Sequence, residues 1–481
     1  MKAIIISWYI GIALLFVSAL MTVSGIIACF FPGDDSRIPL LLSALLTGIV
    51  GLYPLIFVRR GKYRLNFREG NFVVVGSWLA ACIFGMLPFL FYGGDFSFVN
   101  ALFESVSGFT TTGASILTDI ESLPHGLLFW RTATAWVGGV GIVTLFSRLM
   151  VGRSDQSTLS GAEISRIARE ELPGERSEFF ANIMLITYIS LTVLTGVALR
   201  LTGIGWFDAA TTAMSACSTC GFCTRNASIA SFANPAAESV LTVAMLLAGI
   251  NFGLVFLTFI RGSRKNVFKT EVSRAFLSLA AVSIAVVTAD LLINGSYASF
   301  GRAFRDAAFQ VASLVTTTGF ATCDTTLWPT LSMGILLVCS LICGCSGSTS
   351  GGIKMDRILL AGKGVLQKVK SYTHPGTIYT IRVDGHQRSD AQVSDAFGFI
   401  VCYVSIMILC CLINFAGGLD FTTGLTASIA SIGNVGPGFG DVGSMANYAD
   451  MPTLIKGSSM VEMLIGRLEI FPVLYLFRGF R

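Results

Sequence analysis

Four segments of the chain carry the same residue types at the same offsets: FVNALFESVSGFTTTGAS (98–115), WFDAATTAMSACSTCGFC (206–223), FRDAAFQVASLVTTTGFA (304–321) and FTTGLTASIASIGNVGPG (421–438). Aligned on Gly113, Gly221, Gly319 and Gly436, each has an aromatic residue fifteen positions earlier: Phe98, Trp206, Phe304 and Phe421. A polar residue suited to a helix start stands thirteen earlier (Asn100, Asp208, Asp306, Thr423), and a small residue six earlier (Ser107, Ser215, Ser313, Ala430). Directly before the glycines come Thr110-Thr111-Thr112, Ser218-Thr219-Cys220, Thr316-Thr317-Thr318 and Gly433-Asn434-Val435. Self-similarity of this kind means one structural unit used four times. Four unrelated Ser/Thr-rich loops would not share the offsets.

The sequence around these units suits a bilayer. Of 481 residues 53% are apolar and only 13% charged, against about 25% charged in a soluble domain. Apolar runs of about 18 residues or more mark transmembrane helices. Ten are expected, near 5–30, 38–58, 71–92, 124–150, 179–202, 236–261, 275–294, 329–360, 396–416 and 454–477. The net charge of +5 does not point to nucleic acid, because the basic residues gather at helix ends in alternate loops. Arg59, Arg60, Lys62, Arg64 and Arg68 form one group, and Arg148, Arg153, Arg166, Arg169 and Arg176 the next. Arg261, Arg264, Lys265, Lys269 and Arg274 form the third, and seven more run from Lys354 to Arg388. With Lys2, Arg478 and Arg481 these make 25 of the 33 Lys and Arg. The positive-inside rule places them, and both termini, in the cytoplasm. The opening MKAIIISWYIGIALLFVSALM is too long an apolar stretch for a signal peptide and has no clear cleavage site. It reads as a retained first helix.

Each repeat is then a span, a half-length re-entrant segment and a second span. About eleven residues from the polar start make a helix of roughly 17 Å, about halfway across a hydrocarbon core of roughly 30 Å. Asn, Asp and Thr are good N-caps. The negative end of the helix dipole points to the membrane centre, and glycine eases the turn that must follow. Irregular backbone at that depth is tolerated only when buried in protein or lining a water-filled cavity. Four such segments around one axis present rings of carbonyls and hydroxyls, which replace the hydration shell of a monovalent cation.

Two chemistries compete with this reading. CSTCGFC (217–223) looks like the start of an iron–sulfur or zinc site, but it occupies the place that FTTTGAS and VTTTGFA hold in repeats one and three. Ferredoxin-type runs need a further cysteine, and TRNAS follows Cys223. Gly344-Cys345-Ser346-Gly347 fits the G-x-S-G of rhomboid-type proteases, which need a histidine base. The three histidines, His125, His374 and His386, stand at an outer helix end and in a cytoplasmic loop. An enzyme is not expected.

The motifs TTTGAS, STCGFC, TTTGFATCD and GNVGPGFG, in this order on a fourfold repeat after an extra helix pair, closely resemble the TrkH/KtrB/HKT superfamily of potassium transporters, TrkH-like bacterial branch. The resemblance covers essentially the whole chain. It implies an all-α polytopic membrane protein of about 10 transmembrane helices in the bacterial cytoplasmic membrane. A two-helix unit (1–68) would precede pore repeats at 69–170, 171–270, 271–390 and 391–481, the third carrying a gate loop and a cytoplasmic loop. It implies a K⁺ selectivity filter of Thr111, Thr112 and Gly113; Thr219, Cys220 and Gly221; Thr317, Thr318 and Gly319; and Asn434, Val435 and Gly436. K⁺ is the transported ion, with no organic cofactor in the chain. Partners implied are a second copy, as a homodimer, and a cytoplasmic nucleotide-binding subunit of TrkA type. A serine at the first filter glycine marks sodium-passing plant members; Gly113 favours potassium.

The stretch CGCSGSTSGGIKMDR (343–357) makes an uninterrupted helix doubtful, because four glycines alternate with hydroxyl and thiol residues. Its TrkH-like counterpart is an intramembrane gate, formed here by Gly344, Cys345, Ser346, Gly347, Ser348, Thr349, Ser350, Gly351, Gly352 and Lys354, with Arg467 as a cationic plug bonding loop carbonyls. Packing through Gly347-x-x-x-Gly351 is the plainer reading of the glycines, and a pair with Glu462 or Glu469 the plainer reading of Arg467. Arg131 is expected to pair with Glu104 or to bond a filter-supporting carbonyl. Asp119, Asp324 and Asp441 stand where they raise the local cation concentration, with Arg225 opposing them. H⁺- or Na⁺-coupled symport is the alternative mechanism; its candidate acids, Asp290 and Glu238, lie near span ends.

Overall fold

The computed structural model describes residues 3–58, 66–141, 177–259, 267–374 and 379–478. The basic groups expected at 59–64, 148–176 and 261–265, Lys2, Arg481, and the end of the span expected to reach 150 lie outside these residues. Helices Ala3–Ala28 and Arg37–Phe57 open the chain as an antiparallel pair. On the second helix, Leu45, Ile49, Leu52 and Ile56 form one exposed apolar face, while Leu40, Ala44, Thr47 and Gly51 are buried on the other. Exposed leucine and isoleucine at helical spacing suit lipid, not water.

The rest repeats one plan four times. First spans are Phe67–Gly85 (continued by Leu87–Tyr92), Ser177–Leu201, Glu271–Ile293 and Asp390–Ala416. Short helices follow at Phe98–Phe109, Trp206–Ser218, Phe300–Val315 and Phe421–Gly433. Second spans begin at His125–Val140, Pro235–Ala248, Thr330–Leu341 and Thr453–Arg467. Each short helix packs between the two spans of its own repeat and also against the second span of the preceding repeat, the first closing against the fourth. That cyclic order makes a ring. The protein is a multi-pass, mostly helical membrane protein: six described helices are long and apolar enough to cross a bilayer, and a bent pair makes a seventh.

Among the described residues three of the second spans are divided, which the sequence showed for one of them only. In the third repeat Thr330–Leu341 gives way to a loop and restarts as Met355–Thr373, as expected. In the second, Pro235–Ala248 and Phe252–Phe259 meet at 111°. The Gly249 carbonyl there accepts from Cys345 N at 2.8 Å instead of continuing the helix, and Asn251 Oδ1 recaps the chain through Gly253 N at 2.8 Å. In the fourth, the helix stops at Arg467, with Glu469 and Ile470 at φ of 58° and 51°. Arg467 thus ends its helix rather than standing mid-span. The expected helix caps also move: Ser97, Gly205, Ser299 and Asp420 precede the first turns, so Asn100, Asp208 and Thr423 lie inside the helices. Asp306 lies deeper still, because the third short helix begins more than a turn earlier.

Candidate functional site

Each short helix ends in the same backbone figure. The residue two before the key glycine is left-handed in all four repeats: Thr111, Thr219, Thr317 and Asn434 have φ of 55°, 55°, 57° and 52°. The glycines follow with φ of 81°, 85°, 78° and 97°. Left-handed non-glycine residues are uncommon, so four at one repeat position amount to a built feature. The next amide, from Thr112, Cys220, Thr318 or Val435, returns to the carbonyl of Ser107, Ser215, Ser313 or Ala430 at 2.9, 3.1, 2.7 and 2.9 Å. These are the small residues six before the glycine. The strand is tied back to its own helix while its remaining carbonyls turn away.

Where they turn is set by the neighbouring repeat. A Cβ placed on Gly113 would lie 1.8 Å from the Cys220 carbonyl oxygen, and on Gly221, 2.1 Å from that of Thr318. On Gly319 it would lie 2.2 Å from the Val435 oxygen, and on Gly436, 2.5 Å from that of Thr112. The contacts run one to two, two to three, three to four and four to one. All twelve candidate filter residues therefore meet around one axis, at the converging negative ends of four helix dipoles. Asn434 Nδ2 adds a cross-link to Thr112 Oγ1 at 3.0 Å. Behind the strands, Thr110 and Thr112 hydroxyls meet at 2.8 Å, and those of Thr316 and Thr318 at 2.7 Å.

The cysteines of the second strand face three different surroundings. Cys217 Sγ lies 3.8 Å from Thr195 of the first span, Cys220 packs with Ala135 and Phe222, and Cys223 packs with Leu199 and Ile204. Arg131 does both things expected of it. It pairs with Glu104 of the first short helix and donates to the Cys223 carbonyl at 2.9 Å, lying 3.7 Å above the Phe222 ring. Glu104 accepts in turn from Ile116 N at 3.1 Å. One buried ion pair thus anchors the chain beyond two strands.

Below the strands lies the loop 344–352, framed by a parallel pair of short strands, Ile342–Cys343 and Ile353–Lys354. It touches repeats two, three and four directly, and Arg467 links it to repeat one. Gly351 N donates to Thr317 Oγ1 at 2.8 Å, and a Cβ on Gly351 would lie 2.3 Å from the Gly433 carbonyl. Thr349 Oγ1 donates to the Cys217 carbonyl at 3.0 Å, and Asn251 Nδ2 to the Ser346 carbonyl at 2.9 Å. Arg467 completes the set: it donates to the carbonyls of Thr349 at 2.7 Å, Gly138 at 2.6 Å and Gly139 at 2.9 Å. Glu469 pairs with Arg357 at 2.6 Å, and Lys354 Nζ bonds the Ser350 carbonyl. Ser346 bonds Asp356. A partly open cavity adjoins the loop, lined by Gly141, Tyr188, Phe252, Thr349, Lys354 and Arg467.

On the outer side, consecutive repeats clasp one another. Ile120 N donates to Asn226 Oδ1 at 2.6 Å, and Ala230 N to the Ala321 carbonyl at 3.2 Å. Thr325 and Ser444 hydroxyls meet at 2.6 Å, and Tyr448 N donates to the Ser115 carbonyl at 2.8 Å. Asp119 takes a hydrogen bond from Asn226, which holds its carboxyl below the usual aspartate value. Arg225 is offset by Asp208 at 3.0 Å, so it opposes the acidic mouth less than its charge suggests. Asp324 caps Thr326 at 2.9 Å, and Asp441 opens a short helical turn, Gly440–Val442. Asp290 is engaged by Ser332 at 2.6 Å and Glu238 by Arg305 at 2.9 Å, both structural partnerships.

Two participants escaped the sequence reading. Asn251 gave no signal, since its role depends on a bend that only the packed loop creates. The hairpin Ile381–Val383 with His386–Arg388 did have one: Asp384-Gly385 is a two-residue turn signature. It binds Glu271 N through Asp384, while Lys363 of the helix after the loop pairs with Glu271.

The TrkH family model, described as a cation transport protein, matches residues 43–480. The Trk system potassium uptake protein TrkH of Salmonella typhimurium is 32% identical over 480 residues, 97% of each chain. That of Vibrio parahaemolyticus is 33% identical over 478 residues, 97% of this chain and 96% of its own. The crystal structure of the potassium transporter TrkH from Vibrio parahaemolyticus aligns with a TM-score of 0.88 at 32% identity, covering 99% of this chain and 98% of that one.

Proposed function

The chain belongs to the TrkH family of cation transport proteins, and on that premise we propose that it takes up potassium through the ring of four strands by channel-like permeation. It is a transporter, not an enzyme. The observation that carries the reading is the closed succession of glycine-to-carbonyl contacts from Gly113 round to Gly436. Such a ring replaces water around a dehydrated monovalent cation at fixed spacing. Thr111, Thr112, Gly113 and their counterparts in the other three repeats are the selectivity filter, passing K⁺ and Rb⁺ in preference to Na⁺.

The loop 344–352 with Lys354 is the gate, and Arg467 is its plug. A guanidinium bonded to two carbonyls of the first repeat and one of the loop puts a positive charge next to the filter's inner end. A cation leaving the filter meets that charge unless the loop moves. The gate then needs an outside force, and a separate cytoplasmic nucleotide-binding subunit of TrkA type supplies it through the helix Met355–Thr373 and its hairpin. Both termini are cytoplasmic, the two-helix unit and four repeats follow the boundaries given above, and two copies form the working dimer.

Radiolabelled rubidium uptake into liposomes holding the purified chain tests this, at a set membrane potential, with and without a pH gradient. Uptake that follows voltage, yields to K⁺ far more readily than to Na⁺ and ignores the pH gradient is the expected result. Uptake that requires the proton gradient would replace permeation by symport.

A further inference from the structure

Behind the fourth strand, off the ion route, the second span of the fourth repeat buries a carboxyl group completely: Glu462. It does not line the cavity beside the loop. Among the described residues no cation pairs with it, and its Oε2 has no hydrogen-bond partner. The groups that face it are neutral donors and acceptors. Tyr403, Cys410 and Cys411 come from the first span, Ser428 from the short helix and Tyr448 from the outer loop. Lys456, on its own helix, is engaged elsewhere by Asn100 at 2.9 Å and the Ala449 carbonyl at 2.7 Å.

The hydrogen count at Ser428 fits a protonated acid. Its hydroxyl has one hydrogen and two oxygen neighbours, Glu462 Oε1 and the Met407 carbonyl at 2.9 Å. A carbonyl only accepts. With the serine hydrogen given to Met407, the contact with Glu462 needs a hydrogen from the carboxyl itself. An unpaired carboxylate at this depth would cost several kcal/mol, and a buried acid neutralises instead.

We infer that Glu462 is a resident proton-binding site, a neutral carboxylic acid whose O–H donates to Ser428 and clamps the second span of the fourth repeat to its short helix. The clamp is a positioning device for the filter's fourth strand. The next residue, Met463, accepts from Asn434 Nδ2 at 2.9 Å through its carbonyl, and the same amide bonds Thr112. Losing the proton replaces an attraction between Glu462 and Ser428 by a buried anion. Transport is therefore sensitive to alkali and indifferent to mild acid, the opposite of a carboxylate that must ionise to work.

Infrared difference spectroscopy on the purified full chain tests the proton directly. At neutral pH the parent shows a carboxylic acid C=O stretch that Glu462→Gln lacks, and Ser428→Ala moves that band to higher frequency. Glu462→Gln, which keeps the neutral shape, retains rubidium uptake but loses the parent's decline as pH rises into the alkaline range. Identical parent and Glu462→Gln spectra, an unmoved band in Ser428→Ala, or a well-folded Glu462→Gln that does not transport would each overturn the assignment. Should Glu462→Gln fail to fold, the band shift in Ser428→Ala alone decides. The spectra need no transport, so they are independent of the potassium reading.

Discussion

Gly221 has φ of 85° and faces the Thr318 carbonyl so closely that a Cβ would come within 2.1 Å of the oxygen. Gly221→Ala therefore adds backbone strain of about 1–3 kcal/mol and pushes a carbonyl out of the ring. Rubidium uptake should fall about tenfold or more, since 1.4 kcal/mol corresponds to a factor of ten. Its neighbour Cys220 is different: it stands where repeats one and three have Thr112 and Thr318, and Cys220→Thr should transport like the parent. At the Glu104–Arg131 pair, Glu104→Gln leaves a buried guanidinium uncompensated. That should cost about 3–5 kcal/mol, seen as a lower unfolding temperature in detergent. Replacing both residues by neutral ones should recover most of the loss, and a double-mutant cycle reads the coupling.

Among the elements, the loop under the ring of strands and the clasps above it answer to different parts of the sequence. The loop was legible because CGCSGSTSGG is poor helix-forming material on composition alone. The breaks at 249–251 and 468–470 were not. AGINFG leaves its helix where the loop's Cys345 amide takes the Gly249 carbonyl, and GRLEIF where Arg467 reaches out to the carbonyls of Thr349, Gly138 and Gly139. The four short helices were legible from their repeated offsets, but their caps were not: Asn100, Asp208 and Thr423 lie two residues inside helices that begin at the repeated aromatic, and the third helix begins a turn earlier still. Arg131 was legible only as a pair of alternatives, and the structure uses both. Arg467→Ala removes three hydrogen bonds to carbonyls and the charge beside the filter. Rubidium uptake without any partner subunit should rise severalfold, and unchanged uptake would count against the plug. The outer clasp at Asp119 carries a pH dependence of known sign. A depressed carboxyl contributes above its unfolded value and is lost as pH falls through its folded one. The clasp should thus hold down to about pH 4, near the ordinary aspartate value, and Asn226→Ala, which removes the clasp, should abolish that acid step in a titration of uptake.

For the whole molecule, four unlike strands make one ring: two with the full threonine run, one with a cysteine and one reading Gly-Asn-Val. Backbone geometry is shared across them where side chains are not; under the proposed filter role, selectivity would rest on carbonyl spacing rather than on any single hydroxyl. The most direct test is the reversal potential in bilayers with K⁺ on one side and Na⁺ on the other, for the parent and for Gly319→Ser. The ring predicts a parent reversal close to the K⁺ equilibrium potential and a shift towards zero when a side chain is forced against the Val435 carbonyl. A parent that passes both ions equally, or a Gly319→Ser variant with an unchanged K⁺/Na⁺ ratio, would contradict the assignment of these strands as the filter.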